Sequence, residues 1–224
     1  MILNIAWWNV GISPPIKKQK EEKTAAVKIA KNYIKKFSVQ RNIDFFAICE
    51  VSEDEAISFK EISDKLKMSY LDLSDRVGRV IIDISVMYEP SKLEYLHHKN
   101  IVHSQPNGRS LRVGVRVAFK ETKNGEIITF FLSHWPSMLS ATDAIRDDIA
   151  SILRYHIDNI YTQHGVTSQI ICMGDYNTPP YSTAIHEKLF ATRDYHIIKK
   201  RPKLLFNPFW GLLTNGNLNN IGTY

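Results

Sequence analysis

Cysteine is nearly absent. Cys49 and Cys172 are the only two in 224 residues, which excludes the disulfide framework that staples small secreted domains. Both lie in apolar runs that read as buried strands, so two reduced thiols in a cytoplasmic protein are expected. Long apolar runs are missing too. No stretch approaches the roughly 18 residues that a membrane-spanning helix requires. The opening Met1-Ile2-Leu3-Asn4-Ile5-Ala6-Trp7-Trp8 carries no basic leader of a secretory signal. Negative charge is in deficit, with 23 Asp and Glu against 29 Lys and Arg, a net charge of +6. That excess favours an anionic partner, nucleic acid first, because clustered cations release counterions condensed on phosphates. Much of it is local: Lys17, Lys18, Lys20, Lys23, Lys28, Lys31, Lys35 and Lys36 share one early segment, which reads as the solvated face of an amphipathic helix.

What is present is material for a core. Hydrophobic residues make up 44% of the chain and charged residues 23%, and a domain of this length buries roughly 70% of its unfolded surface. No linker, low-complexity tract or repeat divides it, so one domain over residues 1–224 is expected. Residues 2–9 read as a buried strand, and Pro14-Pro15 breaks the chain. Ala25, Ala26, Ile29, Ala30, Tyr33, Ile34 and Phe37 then recur at helical spacing over about 20–37. A second buried strand covers 43–49, and a helix over 53–67 opens on acidic residues that suit its positive end. From 69 to 134 the pattern is consecutive strands: 79–88, 93–102, 110–119 and 127–133. Hairpin turns are predicted at Asn107-Gly108 and Asn124-Gly125. A helix over 141–162, a strand over 168–173 and a helix over 182–190 complete the pass. Two sheets packed together with helices outside are the expected architecture.

Polar residues close four of the apolar strands. They are Asn9, Glu50, His134 and the pair Asp175 and Asn177. A carboxylate ending a buried strand requires compensation, from a cation or from hydrogen bonds. Two carboxylates with amide oxygens make a hard-oxygen environment that suits magnesium. A histidine adds a proton donor near neutral pH. Taken singly, each has a structural explanation. Asn9 can cap a turn, Glu50 can open a helix, His134 can be a satisfied core histidine, and Asp175-Tyr176-Asn177 can be an Asx turn. Their order and spacing together tip the balance towards phosphoryl chemistry.

The chain resembles the endonuclease/exonuclease/phosphatase superfamily, which includes pancreatic deoxyribonuclease, apurinic-site endonucleases, inositol-polyphosphate phosphatases and bacterial sphingomyelinases. Gly174-Asp175-Tyr176-Asn177 carries the resemblance most specifically. Trp8-Asn9, Cys49-Glu50-Val51 and Ser133-His134-Trp135-Pro136-Ser137 support it. The resemblance implies a four-layer α/β/β/α sandwich and a metal-dependent phosphodiesterase, most readily a nuclease, using magnesium or manganese. It implies Glu50 as the metal ligand with Asn9 beside it, and Asp175 as the group that positions or activates water. Asn177 would bind the scissile phosphate, and His134 would contact phosphate or help protonate the leaving oxygen.

Two departures from the family pattern bear on activity. Gly11 stands where some family nucleases carry an acid. No Asp-His pair ends a late strand, His186 and His196 standing in other contexts. Phe206-Asn207-Pro208-Phe209-Trp210-Gly211 resembles the approach to that strand, so a truncated or tail-less form is expected, completed by a C-terminal segment or a partner protein. Arg76, Arg79, Arg109 and Arg112 are the candidate contacts to nucleic acid, with Arg79 and Arg112 foremost; Arg112 could equally face a carboxylate inside the sheet. The alternatives are a phosphatase or phosphodiesterase of a small molecule or lipid head group, and an inactive member that binds nucleic acid or protein.

Overall fold

A strand, a crossing helix and a parallel strand occur twice in this chain, and both pairs end at the same place. In order, the elements are β1 (Ile5–Asn9), α1 (Lys20–Arg41), β2 (Phe45–Cys49), α2 (Glu53–Lys65), β3 (Ser69–Asp72), β4 (Asp75–Val77), β5 (Val80–Ile82), β6 (Ile84–Tyr88), β7 (Leu93–Ser104), β8 (Ser110–Glu121), β9 (Ile127–His134), α3 (Asp143–His164) and β10 (Gln169–Asp175). A π-helical turn (Ala184–Lys188), β11 (Ala191–Thr192), α4 (Tyr195–Lys200), β12 (Leu205–Phe206) and α5 (Phe209–Leu212) follow. This computed structural model describes residues 2–12, 20–51, 53–106 and 108–212. Pro14-Pro15, Lys17, Lys18, Asn107 and Gly222-Thr223-Tyr224 lie outside the described residues.

One sheet has the order β1-β2-β6-β3 and the other β10-β9-β8-β7. Within them β1 runs parallel to β2, and β10 parallel to β9. The remaining neighbours are antiparallel. Parallel strands need long crossovers, and α1 and α3 supply them. Strand alternation then sorts side chains into three apolar layers. Phe45, Ala47 and Cys49 of β2 face Phe130 and Leu132 of β9 between the sheets. Phe46 and Ile48 face outward against Ala30 and Ile34 of α1 and Phe59 and Ile62 of α2. Phe131 of β9 meets Ile149, Leu153 and Ile157 of α3 on the opposite side. The result is the expected α/β/β/α sandwich. Its centre is aromatic: Phe45 stacks on Phe130 at 4.0 Å, and Phe119 meets Phe45 edge-on at 5.7 Å.

The structure corrects two expected elements. Residues 79–88 are not one strand but β5 and β6, broken at Asp83. β5 joins β4 in a separate two-stranded ribbon, whereas β6 enters the first sheet. The break has a physical cause, since the Asp83 carboxylate bonds Arg112 and His134. The predicted helix over 182–190 is only the five-residue π-helical turn, which ends as Phe190 takes the left-handed conformation at φ 58°.

Candidate active site

The C-terminal ends of β1, β2, β9 and β10 deliver Asn9, Glu50, His134 and Asp175. Asn9 lies next to Cys49 in the strand register, and Asp175 lies opposite His134. The sheets meet through Asn9. Its Nδ2 donates to Glu50 Oε1 at 2.9 Å and to Asp175 Oδ2 at 3.0 Å. One amide thus ties a carboxylate of the first sheet to one of the second. The Asn9 oxygen accepts from Gly11 N–H at 3.0 Å, which sets the amide orientation that hydrogen bonding assigns.

Two backbone features hold the acids in place. Glu50 and Asn177 adopt φ of 59° and 48°, a left-handed conformation that costs a non-glycine residue about 1–3 kcal/mol. Asparagine tolerates it readily; glutamate does not. Gly174 permits the other approach: a Cβ there would sit 2.0 Å from Ser133 O, so only glycine lets β10 close on β9 one residue before Asp175. Asp175 Oδ1 accepts from Asn177 N–H at 3.1 Å, and Asn177 Nδ2 donates to Trp135 O at 2.9 Å. Tyr176 packs edge-on to Trp135 at 4.8 Å.

His134 is buried between two carboxylates. Its Nδ1 lies 3.2 Å from Asp83 Oδ1 and its Nε2 3.4 Å from Glu50 Oε1. Burial opposes the charged ring, but the bonds to Asp83 and Glu50 outweigh it, so His134 titrates above an ordinary histidine. Glu50 moves the other way. The His134 bond outweighs burial and, with the Asn9 bond, holds its carboxyl below an ordinary glutamate. Arg112 Nη1 donates to Ile81 O at 2.9 Å and pairs with Asp83 at 3.4 Å. Asp83 therefore links Arg112 to His134. Sequence reasoning missed Asp83, an acid between Ile82 and Ile84 in an apolar run.

This geometry sets the His134 ring between two acids at the strand ends. Residues 16–224 match the sequence pattern of the Endonuclease/Exonuclease/phosphatase family. The chain belongs to that family. Members of the endonuclease/exonuclease/phosphatase superfamily are hydrolases acting on phosphoester bonds, and metal-dependent phosphodiesterases, phosphatases and nucleases are among them. No curated protein matches the chain in sequence. Among solved structures, the human Nocturnin catalytic domain with bound sulfate superposes with a TM-score of 0.59 at 13% identity, covering 82% of this chain and 68% of that one. A Bacteroides thetaiotaomicron mannosyl-6-phosphatase gives 0.63 at 15%, covering 83% and 69%. D. rerio TDP2 complexed with a single-stranded DNA product gives 0.53 at 12%, covering 82% and 63%. At these identities the likeness is one of fold.

Members of the family commonly use divalent metals, and Glu50 and Asp175 are the carboxylates that could hold one here. Glu50 Oε2 lies 4.0 Å from where a Cβ on Gly11 would stand, an ordinary van der Waals distance. No group of three or more His, Cys, Asp or Glu side chains is arranged to hold a metal among the described residues. A cation here would rest on one or two carboxylates and water, the manner in which magnesium is usually held. The arginines expected to bind substrate divide. Arg112 is inside the site's electrostatic network, whereas Arg79 is exposed on the turn between β4 and β5. No helix among the described residues is long and apolar enough to cross a membrane.

Proposed function

We propose that this chain is a magnesium-dependent phosphodiester hydrolase whose substrate class is nucleic acid. The carrying observation is Asn9 Nδ2 bridging Glu50 and Asp175 at 2.9 and 3.0 Å, with His134 3.4 Å from the same glutamate oxygen. Two acids from separate sheets held this close create a locus of negative charge that a divalent cation would neutralise.

Glu50 would be the principal ligand of a divalent cation, and Asn9 orients both acids. A bound magnesium supplies Lewis acidity and eases deprotonation of a bound water. Asp175, fixed by Asn9 and by Asn177 N–H, positions the attacking water in line with the scissile bond. Asn177 Nδ2 has one hydrogen on Trp135 O, and its second is free to reach a phosphate oxygen. The Asp83 contact at Nδ1 favours the protonated ring of His134, and an Nε2 hydrogen can turn from Glu50 to phosphate or to the leaving oxygen. Arg112 steadies Asp83 and adds positive potential. The net charge of +6 favours a polyanion over a small neutral head group.

A fold shared with a mannosyl-6-phosphatase and with a protein bound to a DNA product leaves the substrate to experiment. The full chain is assayed with magnesium or manganese against plasmid, single-stranded DNA, RNA, mannose 6-phosphate, phosphoinositides and sphingomyelin. Metal-dependent cleavage of nucleic acid is expected, reduced at least a hundredfold by Asp175→Asn and by His134→Ala. Cleavage of only a sugar phosphate or a lipid would replace the substrate class. Equal turnover by Asp175→Asn would remove the assigned site.

A further inference from the structure

Downstream of the Asp175-Tyr176-Asn177 turn, the chain builds a cluster of rings that the chemistry above does not use. Two residues separate Asn177 from Pro180. Asn207 Nδ2 donates to Pro180 O at 3.2 Å, and its Oδ1 accepts from Phe209 N–H at 3.1 Å. One asparagine thereby caps α5 and clamps it against the loop leaving the site. That clamp sets Trp210 edge-on to His186 at 5.5 Å and beneath the Arg193 guanidinium at 5.2 Å. Tyr181 on the same loop and Phe209 on α5 are 57% and 63% exposed. Large rings left this open are costly to hydrate, and an arginine laid over an indole is a held cation rather than a free surface charge.

We propose that Tyr181, His186, Arg193, Phe209 and Trp210 form a base-binding subsite, which stacks a nucleobase of the substrate while the phosphodiester lies at Asn177 and His134. The inference rests on the phosphodiesterase reading and narrows its substrate to nucleotides. Aromatic and arginine faces accept any base, since every base presents a π-face, so the subsite selects nucleotide over sugar phosphate without selecting sequence.

Equilibrium binding is measured by calorimetry in magnesium chloride, using deoxyadenosine monophosphate, mannose 6-phosphate and inorganic phosphate as probes. The wild-type chain is expected to bind the nucleotide about tenfold or more tightly than either of the others, the order that one stacked base contributes. Trp210→Ala and Tyr181→Ala should each erode that preference while affinity for inorganic phosphate stays the same. Trp210→Phe should keep most of it. Tyr181 lies on an exposed loop, so its variant reports even where loss of Trp210 disturbs α5. Equal affinity for nucleotide and mannose 6-phosphate, no nucleotide binding, or a preference untouched by both variants would overturn the subsite. The phosphodiesterase reading fails separately, by absence of metal-dependent cleavage, because nucleotide stacking requires no turnover.

Discussion

At the scale of single residues, Asp83 decides how His134 behaves. It is the buried partner of the ring's Nδ1 and also receives Arg112. Asp83→Asn keeps the shape and removes the charge, so His134 should titrate at lower pH than in the wild-type chain, as followed by histidine NMR. The substitution also leaves Arg112 short of a partner and should cost on the order of 1–3 kcal/mol in urea unfolding. An unmoved His134 titration would sink the assigned link. The His134–Glu50 contact has its own pH signature in metal-free protein. Folded His134 is raised, so its contribution is complete below about 6.5, the unfolded histidine value, and is lost as pH rises through the folded value. Folded Glu50 is depressed, so its contribution is complete above 4.5 and is lost as pH falls through the folded value. The stability difference between wild type and His134→Gln should therefore peak between those limits and shrink on both sides. A difference that is flat with pH would show that the contact carries no charge.

At the scale of elements, the close approach of β9 and β10 is the most sensitive feature. Gly174→Ala would place a Cβ 2.0 Å from Ser133 O, and backbone cannot yield as a flexible side chain can. Destabilisation on the order of 4 kcal/mol is expected in urea unfolding, with Asp175 displaced as well; a near-neutral change would mean that the ladder opens freely there. The centre offers a contrasting case. Phe130→Ala empties the space beneath Phe45 and Phe119 and should cost about 3–5 kcal/mol, without altering the strand ends. These elements were legible because the parallel strands are largely apolar and each stops abruptly at a polar residue, although β1 and β10 are only half-buried. The four site residues at those stops were legible for the same reason. Asp83 was not, because one acid in an apolar run reads equally well as a strand residue facing solvent; its partners lie 29 and 51 residues away. The turn over 184–188 was misread as a longer helix because apolar spacing continues to Leu189 and Phe190, while the left-handed Phe190 that stops it follows from packing.

At the scale of the whole molecule, the site is also a joint. Asn9 and Glu50 belong to one sheet, His134 and Asp175 to the other, and the aromatic layer between the sheets holds the four within reach. Without a cation, two carboxylates share one amide donor across that joint, and their repulsion opposes the packing beneath. A divalent ion that binds only the folded arrangement should therefore stabilise the entire sandwich. At a free concentration a hundredfold above Kd the gain is about 2.7 kcal/mol, which for a chain of this size raises Tm by roughly 5–10 °C. Calorimetric scans of the wild-type chain with increasing magnesium chloride should show this rise, and EDTA should reverse it. Glu50→Gln and Asp175→Asn should each suppress it, since either leaves one acid to hold the ion alone. A Tm that ignores magnesium, or that rises equally in both variants, would separate the joint from metal binding and leave Asn9, Glu50 and Asp175 with a purely structural task.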